Sequence, residues 1–317
     1  MSKINQVPAS AGAQWLLDGL VLFRRAPLAL ARVSVLGFSL ALLATLLGSL
    51  LMQLTAGVPF PLSLLPFALY CVLALGVPSF VFAGVLWAVR EVQLGRPALP
   101  RHLFKGFASR RMRALLVTAL PQFIAVVLAA LALMALLGTE GVQQILDVLQ
   151  KLQAMTANGQ QPDPVQVQAL VAQLPAGRLL LWLLLVMAAT PLLICLVMLA
   201  IPQIVFSGVH GGRALRASLS ANLQNLPAML LFAVILAVVF FATSLVLQVM
   251  GLLIQAIFGP LVAMFIINLL MMGVLMPLVA ASAYHAWHQI FEPANPADPA
   301  TPSAVPLPPQ DPGTFAA

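Results

Sequence analysis

The chain has 317 residues, of which 62% are hydrophobic and only 7% are charged. A soluble domain carries about 25% charged residues, so this composition excludes a soluble globular protein. Long apolar stretches recur along the chain and also exclude an outer-membrane barrel, whose strands show only short alternating segments. The composition therefore predicts an all-α integral membrane protein.

Six apolar stretches are long enough to be transmembrane helices, because about 20 helical residues cross roughly 30 Å of hydrocarbon. The residues before the first stretch include Asp18, Arg24 and Arg25, a pattern that is not typical of a secretory signal peptide. The predicted spans are 28–51, 62–89, 114–137, 179–206, 227–250 and 258–284.

The basic residues are distributed unevenly between the two sides of these spans. Of the 15 Lys and Arg residues, only Lys151 and Arg178 lie on the side of the long loop after the third span. The positive-inside rule therefore predicts cytoplasmic N- and C-termini, in a bacterial inner membrane. The chain has a net charge of +7, and its basic excess then faces anionic lipid headgroups, which makes membrane lipids, and not nucleic acid, the expected partner.

Three similar phrases close the even-numbered spans. They are PSFVFAGVL from Pro78, PQIVFSGVH from Pro202 and PLVAASAYH from Pro277. The odd-numbered spans follow comparable segments, and the spacing agrees once the insertion 139–177 is removed from the second copy. The pattern predicts three repeated helical hairpins. Their approximate bounds are 11–95, 96–212 and 213–292.

An amphipathic segment precedes each odd-numbered span, at 11–26, 99–113 and 213–225. Such segments are typical of helices that lie in the headgroup plane with apolar side chains inward and cations outward. Arg24 is one of these cations. Plain interfacial anchoring is the favoured interpretation, and a specific site for anionic lipid or for a partner protein is the alternative.

The insertion predicts a small helical cap on the periplasmic side, with helices at 141–155 and 165–174. The cap packs on its own hairpin in the favoured interpretation; covering a cavity or pairing with a second subunit are the alternatives. Residues 293–317 are rich in Pro and Ala and predict a disordered cytoplasmic tail after a transmembrane domain at 1–292.

Few polar side chains lie inside the predicted spans, and none near the middle of a span is ionisable. A transporter coupled to ions ordinarily buries such groups. Asn268 is the best candidate for a polar contact in the membrane, and an interhelical hydrogen bond is favoured over a substrate ligand. The repeated prolines predict kinks that can form a hinge or a cavity.

No pattern of catalytic residues is present. His210 and His285 lie at equivalent positions of the repeat and His288 follows, so a zinc site is conceivable, but a further ligand at metal spacing is missing. The favoured interpretation is a belt of interfacial aromatic residues. We therefore predict no enzyme activity, no cofactor and no metal.

Two segments and one short motif resemble a family of uncharacterised six-helix proteobacterial inner-membrane proteins. They are VPASAGAQWLLDGLVLFRRAP (7–27), AGVLWAVREVQLGRP (83–97) and LFKGF (103–107). The resemblance implies a six-span membrane protein without an established activity. The layout also distantly resembles the membrane domain fused to glycerophosphodiester phosphodiesterases, whose soluble catalytic domain has no counterpart here. The matching positions are Trp15, Gly19, Leu22, Phe23, Arg24, Pro27, Arg90, Glu91, Val92, Gly95, Arg96 and Pro97.

Arg90 and Glu91 end the second predicted span and begin the most basic loop. We predict that they mark a helix end at the headgroups, and that Glu91 pairs locally with Arg96 or with an arginine among 110–113. These features favour a lipid-interacting or scaffold component of the envelope. A homo-oligomer or a complex with a membrane partner is compatible with this interpretation. The alternative is a small-molecule or lipid permease with a path between the hairpins.

Overall fold

The computed structural model describes residues 4–55, 59, 62–107, 111–157 and 164–292. Within these ranges the chain is helical and contains no strand. Six helical stretches are long and apolar enough to cross a membrane, as predicted. They are Pro27–Leu54, Leu64–Gln93, Met112–Met155, Ala176–Ser207, Leu226–Phe258 and Pro260–Phe291.

Over the described residues, these stretches contain eight α-helices, and three further α-helices, α1, α7 and α9, lie outside them. The helices are α1 Ala11–Arg25, α2 Pro27–Leu54, α3 Leu64–Cys71, α4 Val77–Gln93, α5 Met112–Val117, α6 Ala119–Ala157, α7 Pro164–Val171, α8 Ala176–Ser207, α9 Gly211–Gln224, α10 Leu226–Phe258 and α11 Pro260–Phe291, with α7 lying in the insertion between two spans.

The six spans form a central and a peripheral group. The inner spans are α3–α4, α8 and α11, and α4, α8 and α11 contact one another. The outer spans are α2, α6 and α10, which pack on α3–α4, α8 and α11 respectively. In the inner spans α3–α4, α8 and α11, 56%, 28% and 28% of the most apolar window is buried. The corresponding fractions for the outer spans α2, α6 and α10 are 17%, 6% and 11%. The outer spans therefore present most of their apolar surface outward, where lipid covers it.

Three short elements pack on the ends of the inner spans. These flanking elements are α1, the 3₁₀ helix Pro100–Lys105 and α9, and they lie on α11, α4 and α8 respectively. The second and third follow their inner span directly in the chain. By contrast, α1 and α11 lie at opposite ends of the sequence, so their contact joins the first and last described helices.

The contact between α1 and α11 is close because small residues meet there. A Cβ on Gly19 would lie 2.6 Å from the Ser282 hydroxyl oxygen, and Trp15 is only 1% exposed. The indole nitrogen of Trp15 donates to the Gln289 amide oxygen at 2.6 Å. The apolar face of α1 therefore packs on protein, whereas its sequence predicted a helix in the headgroup plane with its rings toward lipid.

The segment before α1 strengthens this junction. The Asn5 side chain donates to the backbone carbonyl of Glu292 at 2.9 Å, and the Asn5 backbone N–H donates to Ile290 at 2.9 Å. These carbonyls belong to the last turn of α11 and its C-terminal cap, where a helix leaves acceptors without intrahelical partners. The Asn225 side chain also accepts from the Val7 N–H at 2.8 Å.

The prediction of a single helix at 99–113 is wrong. The described part of this segment is the 3₁₀ helix followed by α5, and 108–110 lie outside the described residues. Pro100 begins the 3₁₀ helix, and Gly106 ends it against α4, where a Cβ would lie 2.5 Å from the Phe80 carbonyl oxygen. At this point the chain packs closely on α4 and does not form the regular helix that its sequence pattern predicted.

The insertion is helical, as its sequence pattern predicted. α6 continues through it to Ala157 after a break at Gly138, whose φ of 70° lies in the region that favours glycine. The Gln144 side chain donates to the Gln173 carbonyl at 2.6 Å, which ties the extension of α6 to the segment after α7. The predicted disordered tail, 293–317, lies outside the described residues. The threefold repeat stays a prediction.

Candidate functional site: a basic pocket at the ends of the inner spans

A pocket of about 330 Å³ lies where α4, α5, α8 and the 3₁₀ helix meet. Three of its lining side chains are cations, and no acid is among the described residues that line it. We call this site the basic pocket. Its lining residues are Trp87, Arg90, Lys105, Gly106, Arg111, Leu115, Val205 and Phe206.

Aromatic rings hold two of the three cations. The Arg90 guanidinium carbon lies 5.3 Å from the Trp87 ring centroid and 5.4 Å from that of Phe206. The Lys105 ammonium lies 4.7 Å from the Trp87 centroid. A cation within about 6 Å of such a ring is attracted by the negative face of the π system. These rings therefore set the positions of Arg90 and Lys105 without neutralising their charge.

The third cation is held by the end of α8. The Arg111 guanidinium donates a hydrogen bond to the Val205 carbonyl, which lies in the last turn of that helix. Carbonyls there lack intrahelical donors and carry the negative end of the helix dipole, so a guanidinium is favoured. Gly208 ends α8 with a φ of 70°, and a Cβ there would lie 3.2 Å from Arg111 Nη2. Gly208 thus gives α8 a tight end beside the arginine.

Glu91 lies next to the basic pocket and forms ion pairs with two cations, of which Lys105 lines the pocket. Its carboxylate is 3.7 Å from the Arg96 guanidinium and 3.9 Å from the Lys105 ammonium. Local pairing with Arg96 agrees with the sequence-based expectation, which did not include Lys105. The Arg96 and Lys105 side chains are 66% and 44% exposed, so solvent weakens both pairs.

An aromatic cluster lies beside the basic pocket and connects all three inner spans. The centroid of Phe206 on α8 lies 5.7 Å from Trp87 on α4, and 5.6 Å and 5.1 Å from Tyr284 and Trp287 on α11. These separations are typical of favourable aromatic pairs. Phe206 is therefore the common neighbour that joins the pocket wall to the packing of the inner spans.

The three repeated prolines all lie in the inner spans. Pro202 and Pro277 are buried inside α8 and α11, and Pro78 lies in the first turn of α4 directly after a π-helical turn, Val72–Gly76. Proline lacks the N–H that continues the hydrogen-bond ladder, so irregular turns are expected beside it. None of the three is among the lining residues of the basic pocket.

Two other predicted positions lie away from the basic pocket. Arg24 is exposed in the last turn of α1. The Asn268 amide donates to the Met264 carbonyl of its own helix at 2.8 Å. Asn268 also lines a groove between α10 and α11 together with Gln248 and Gln255. The expected interhelical hydrogen bond is therefore replaced by one within α11.

The histidines are not assembled into a metal site. Over the described residues, no three His, Cys, Asp or Glu side chains form a group that could hold a metal ion. His288 instead lies 2.8 Å from the Glu292 carboxylate, one turn further along the chain. His210 occupies the N-cap position of α9 in an extended backbone conformation, and its side chain makes no capping hydrogen bond.

The sequence indicated only part of the pocket. Arg90 was singled out, and Lys105 and Arg111 lie within the amphipathic segment 99–113, but their convergence with Trp87 and Phe206 was not foreseen. The available signal was the position of an aromatic residue near the end of every inner span. Whether these rings meet depends on how the spans pack, which local patterns do not specify.

Comparison with known proteins adds no assignment: no family model, no curated protein and no solved structure matches the chain. The resemblance to an inner-membrane family therefore stays a prediction that rests on the quoted motifs.

Proposed function

We propose that this protein is a non-enzymatic, multi-pass protein of a bacterial inner membrane that binds anionic lipid at its basic end. The observation that carries the proposal is the basic pocket, in which Arg90, Lys105 and Arg111 converge from three elements without an acid among the described lining residues. Cations that outnumber the neighbouring acids at a membrane surface attract anionic headgroups, and each well-placed cation contributes about 1 kcal/mol.

The distribution of charge supports the same membrane side for the pocket and for most other cations. Because the spans alternate in direction, the junctions α1–α2, α4–α5 and α8–α10 lie at one end of the spans. These junctions hold the basic residues identified from the sequence. By the positive-inside rule this end is cytoplasmic, and the basic pocket then faces the inner leaflet.

The flanking elements support three repeated hairpins as the architecture behind this site. We infer that each inner span receives the flanking element of the next unit, with α1 completing the ring on α11. A threefold arrangement explains why a contact between the chain ends resembles two contacts between chain neighbours. Under this proposal the basic pocket belongs to the junction of the first and second units.

A lipid-dependent stability measurement tests the proposal. The purified protein is placed in nanodiscs of phosphatidylcholine with increasing fractions of phosphatidylglycerol, and its Tm is measured at low and high salt. We expect Tm to rise with the anionic fraction, and the increase to shrink at high salt because ions screen surface charge. A Tm that is indifferent to lipid charge would contradict anionic-lipid binding.

A control variant tests whether the response to anionic lipid comes from the basic end of the molecule or from the opposite end. Lys151→Gln and Arg178→Gln remove the two basic residues near the opposite end, one late in α6 and one in the first turn of α8. Their combined variant should keep the full response to phosphatidylglycerol. Replacement of Arg90, Lys105 and Arg111 by Gln should reduce it. Equal reductions by both variants would show a nonspecific effect of net charge.

The permease alternative receives less support from the contacts. A path between the inner spans at the basic end would pass the aromatic cluster, where the Phe206 ring lies within 6 Å of three other aromatic rings. Transport along that axis would require Phe206 to leave this packing.

A further inference from the structure

The charge balance of the basic pocket specifies more than a general attraction to anions. Three cations line it, and the neighbouring carboxylate of Glu91 contacts only one of them, Lys105, while also pairing with Arg96. Even if the whole charge of Glu91 is assigned to the pocket, two positive charges remain. A ligand with two negative charges would neutralise them, whereas a monoanion would leave one uncompensated.

The chemistry of the cations also suits a phosphate group. Guanidinium groups bind phosphate oxygens through two parallel hydrogen bonds, and an ammonium contributes a compact point charge. Arg90 is held by two rings and Arg111 by the Val205 carbonyl, so both are ordered before a ligand arrives. Preordered donors lose little conformational entropy on binding, which favours a defined site over a diffuse patch.

The size of the pocket restricts what the phosphate can carry. Its volume of about 330 Å³ lies at the lower end of the range of about 300–1,000 Å³ for small-molecule sites. This space suits a phosphate with a small attached group and is small for a nucleotide. The Trp87 and Phe206 rings supply an apolar wall beside the cations.

From these observations we propose that the basic pocket binds a terminal phosphate group, a phosphomonoester, and prefers it to the phosphodiester of ordinary anionic lipids. A phosphomonoester carries about −1.5 to −2 charges near neutral pH, and a phosphodiester carries one. The inference rests on the proposed anionic-lipid binding and names its ligand class. The same chemistry occurs in a lipid headgroup, as in phosphatidic acid, and in a soluble phosphate ester.

The test compares ligands at matched charge. Full-length protein in phosphatidylcholine nanodiscs receives phosphatidic acid, or phosphatidylglycerol at a fraction that gives the same measured surface potential. We expect a larger Tm increase with phosphatidic acid, and more of this lipid retained in native mass spectra. Equal responses to the two lipids would overturn the preference for a phosphomonoester while leaving anionic-lipid binding intact. No response to either lipid would overturn both proposals.

A separate arm distinguishes the two sources of the phosphate. Glycerol 3-phosphate is added to nanodiscs that contain phosphatidylcholine only. A saturable Tm increase that also competes with phosphatidic acid indicates a site open to soluble phosphate esters. A response to phosphatidic acid alone indicates a site that requires the lipid. Both results support the ligand class, provided that the variants below reduce the response.

Variants locate the ligand in the basic pocket. Lys105→Gln is the first choice, because the Lys105 side chain is 44% exposed and its loss should not prevent folding. It should weaken binding of phosphatidic acid by about tenfold, as expected for one charged hydrogen bond. Arg111→Gln should weaken it further, and Arg24→Gln, an exposed cation outside the pocket, should have no more than a small effect. Unchanged binding by a folded Lys105→Gln variant would overturn the assignment to this pocket.

Discussion

The inner and outer spans are alike in composition but differ in what surrounds them. All six are apolar enough to cross a membrane, yet the inner spans bury 28–56% of their most apolar windows and the outer spans only 6–17%. The inner spans carry the small residues that allow close packing, such as Gly84 on α4 and the run Ala280, Ala281, Ser282 and Ala283 on α11. Hydropathy thus indicates which segments enter the membrane, whereas packing between the spans decides which of them form the protein core.

Removing a large side chain from an inner span should separate the two groups most clearly. Ile204 on α8 is fully buried, and Ile204→Ala should lower the free energy of unfolding by about 2 kcal/mol. We choose the lower end of the usual range because lipid is as apolar as the core, so that the loss comes mainly from the cavity and the missing contacts. Reversible unfolding in mixed detergent micelles measures this change.

Leu128→Ala provides the matched control on an outer span. Leu128 lies on α6 and is 59% exposed, so its removal should change the free energy of unfolding by less than about 0.5 kcal/mol. Equal losses for the two variants would break the distinction between inner and outer spans.

Close packing of the flanking elements gives the next largest effect. A Cβ on Gly84 would lie 2.6 Å from the Leu103 Cα, so Gly84→Ala must push the 3₁₀ helix away from α4. Overpacking of this kind costs about 1–3 kcal/mol, and Tm should fall accordingly.

Gly212→Ala is the control, because no atom lies within 4 Å of its Cβ position in α9. This variant should be neutral or slightly stabilising, since alanine favours a helix more than glycine does. If Gly84→Ala were equally harmless, the 3₁₀ helix would not be tightly packed on the inner span.

How much of this fold the sequence predicted depends on how far apart in the chain the interacting residues lie. The starts of the spans depend on local hydropathy and were predicted within three residues, whereas the third, fifth and sixth spans end 18, 8 and 7 residues later than predicted. The position of α1 on α11 was missed because an amphipathic helix can place its apolar face on lipid or on protein, and its sequence is the same in both cases. Only Gly12 and Gly19 hinted at the second outcome, since glycine inside a helix often marks close approach.

The candidate site was predicted in part for a similar reason. Arg90 and Glu91 stand out because charges end a long apolar segment, and Arg96 is near enough in sequence to be expected as a partner. The pocket, however, also requires Val205 and Phe206, which are more than 100 residues away from Arg90. Such a contact follows from packing between inner spans, and one sequence alone does not specify it.

A smaller effect is expected at the exposed end of an inner span. Glu91→Ala removes the pairs with Arg96 and Lys105, both of which are partly exposed, so stability should fall by no more than about 1 kcal/mol. The difference from wild type should shrink at high salt because ions screen the pairs. Glu140→Ala, an exposed acid in the insertion, is the control. A loss as large as that of Ile204→Ala would show that the end of α4 matters as much as its buried part.

The smallest effect concerns a buried histidine of the 3₁₀ helix. Burial lowers the pKa of His102 below its ordinary value of 6.5, and the positive charge of Lys105 lowers it further. The His102 Nδ1 atom accepts a hydrogen bond from the Leu99 N–H at 3.3 Å, so a proton on Nδ1 would remove this contact. Because the folded state disfavours the proton, the unfolded state binds more protons in this window. Stability should therefore be highest above pH 6.5 and should fall as the pH decreases through 6.5 toward the lowered pKa.

The variant His102→Asn isolates this contribution from the other histidines, because its side-chain oxygen can accept the same hydrogen bond without titrating. Tm is measured between about pH 5 and pH 8 for both proteins. The wild-type Tm should fall more steeply toward acid than that of the variant. Parallel curves would mean that the proton binds His102 equally well in the folded and unfolded states. The 3₁₀ helix would then not bury this ring on the inner span strongly enough to affect its charge, and the difference between buried and peripheral positions would not extend to the flanking elements.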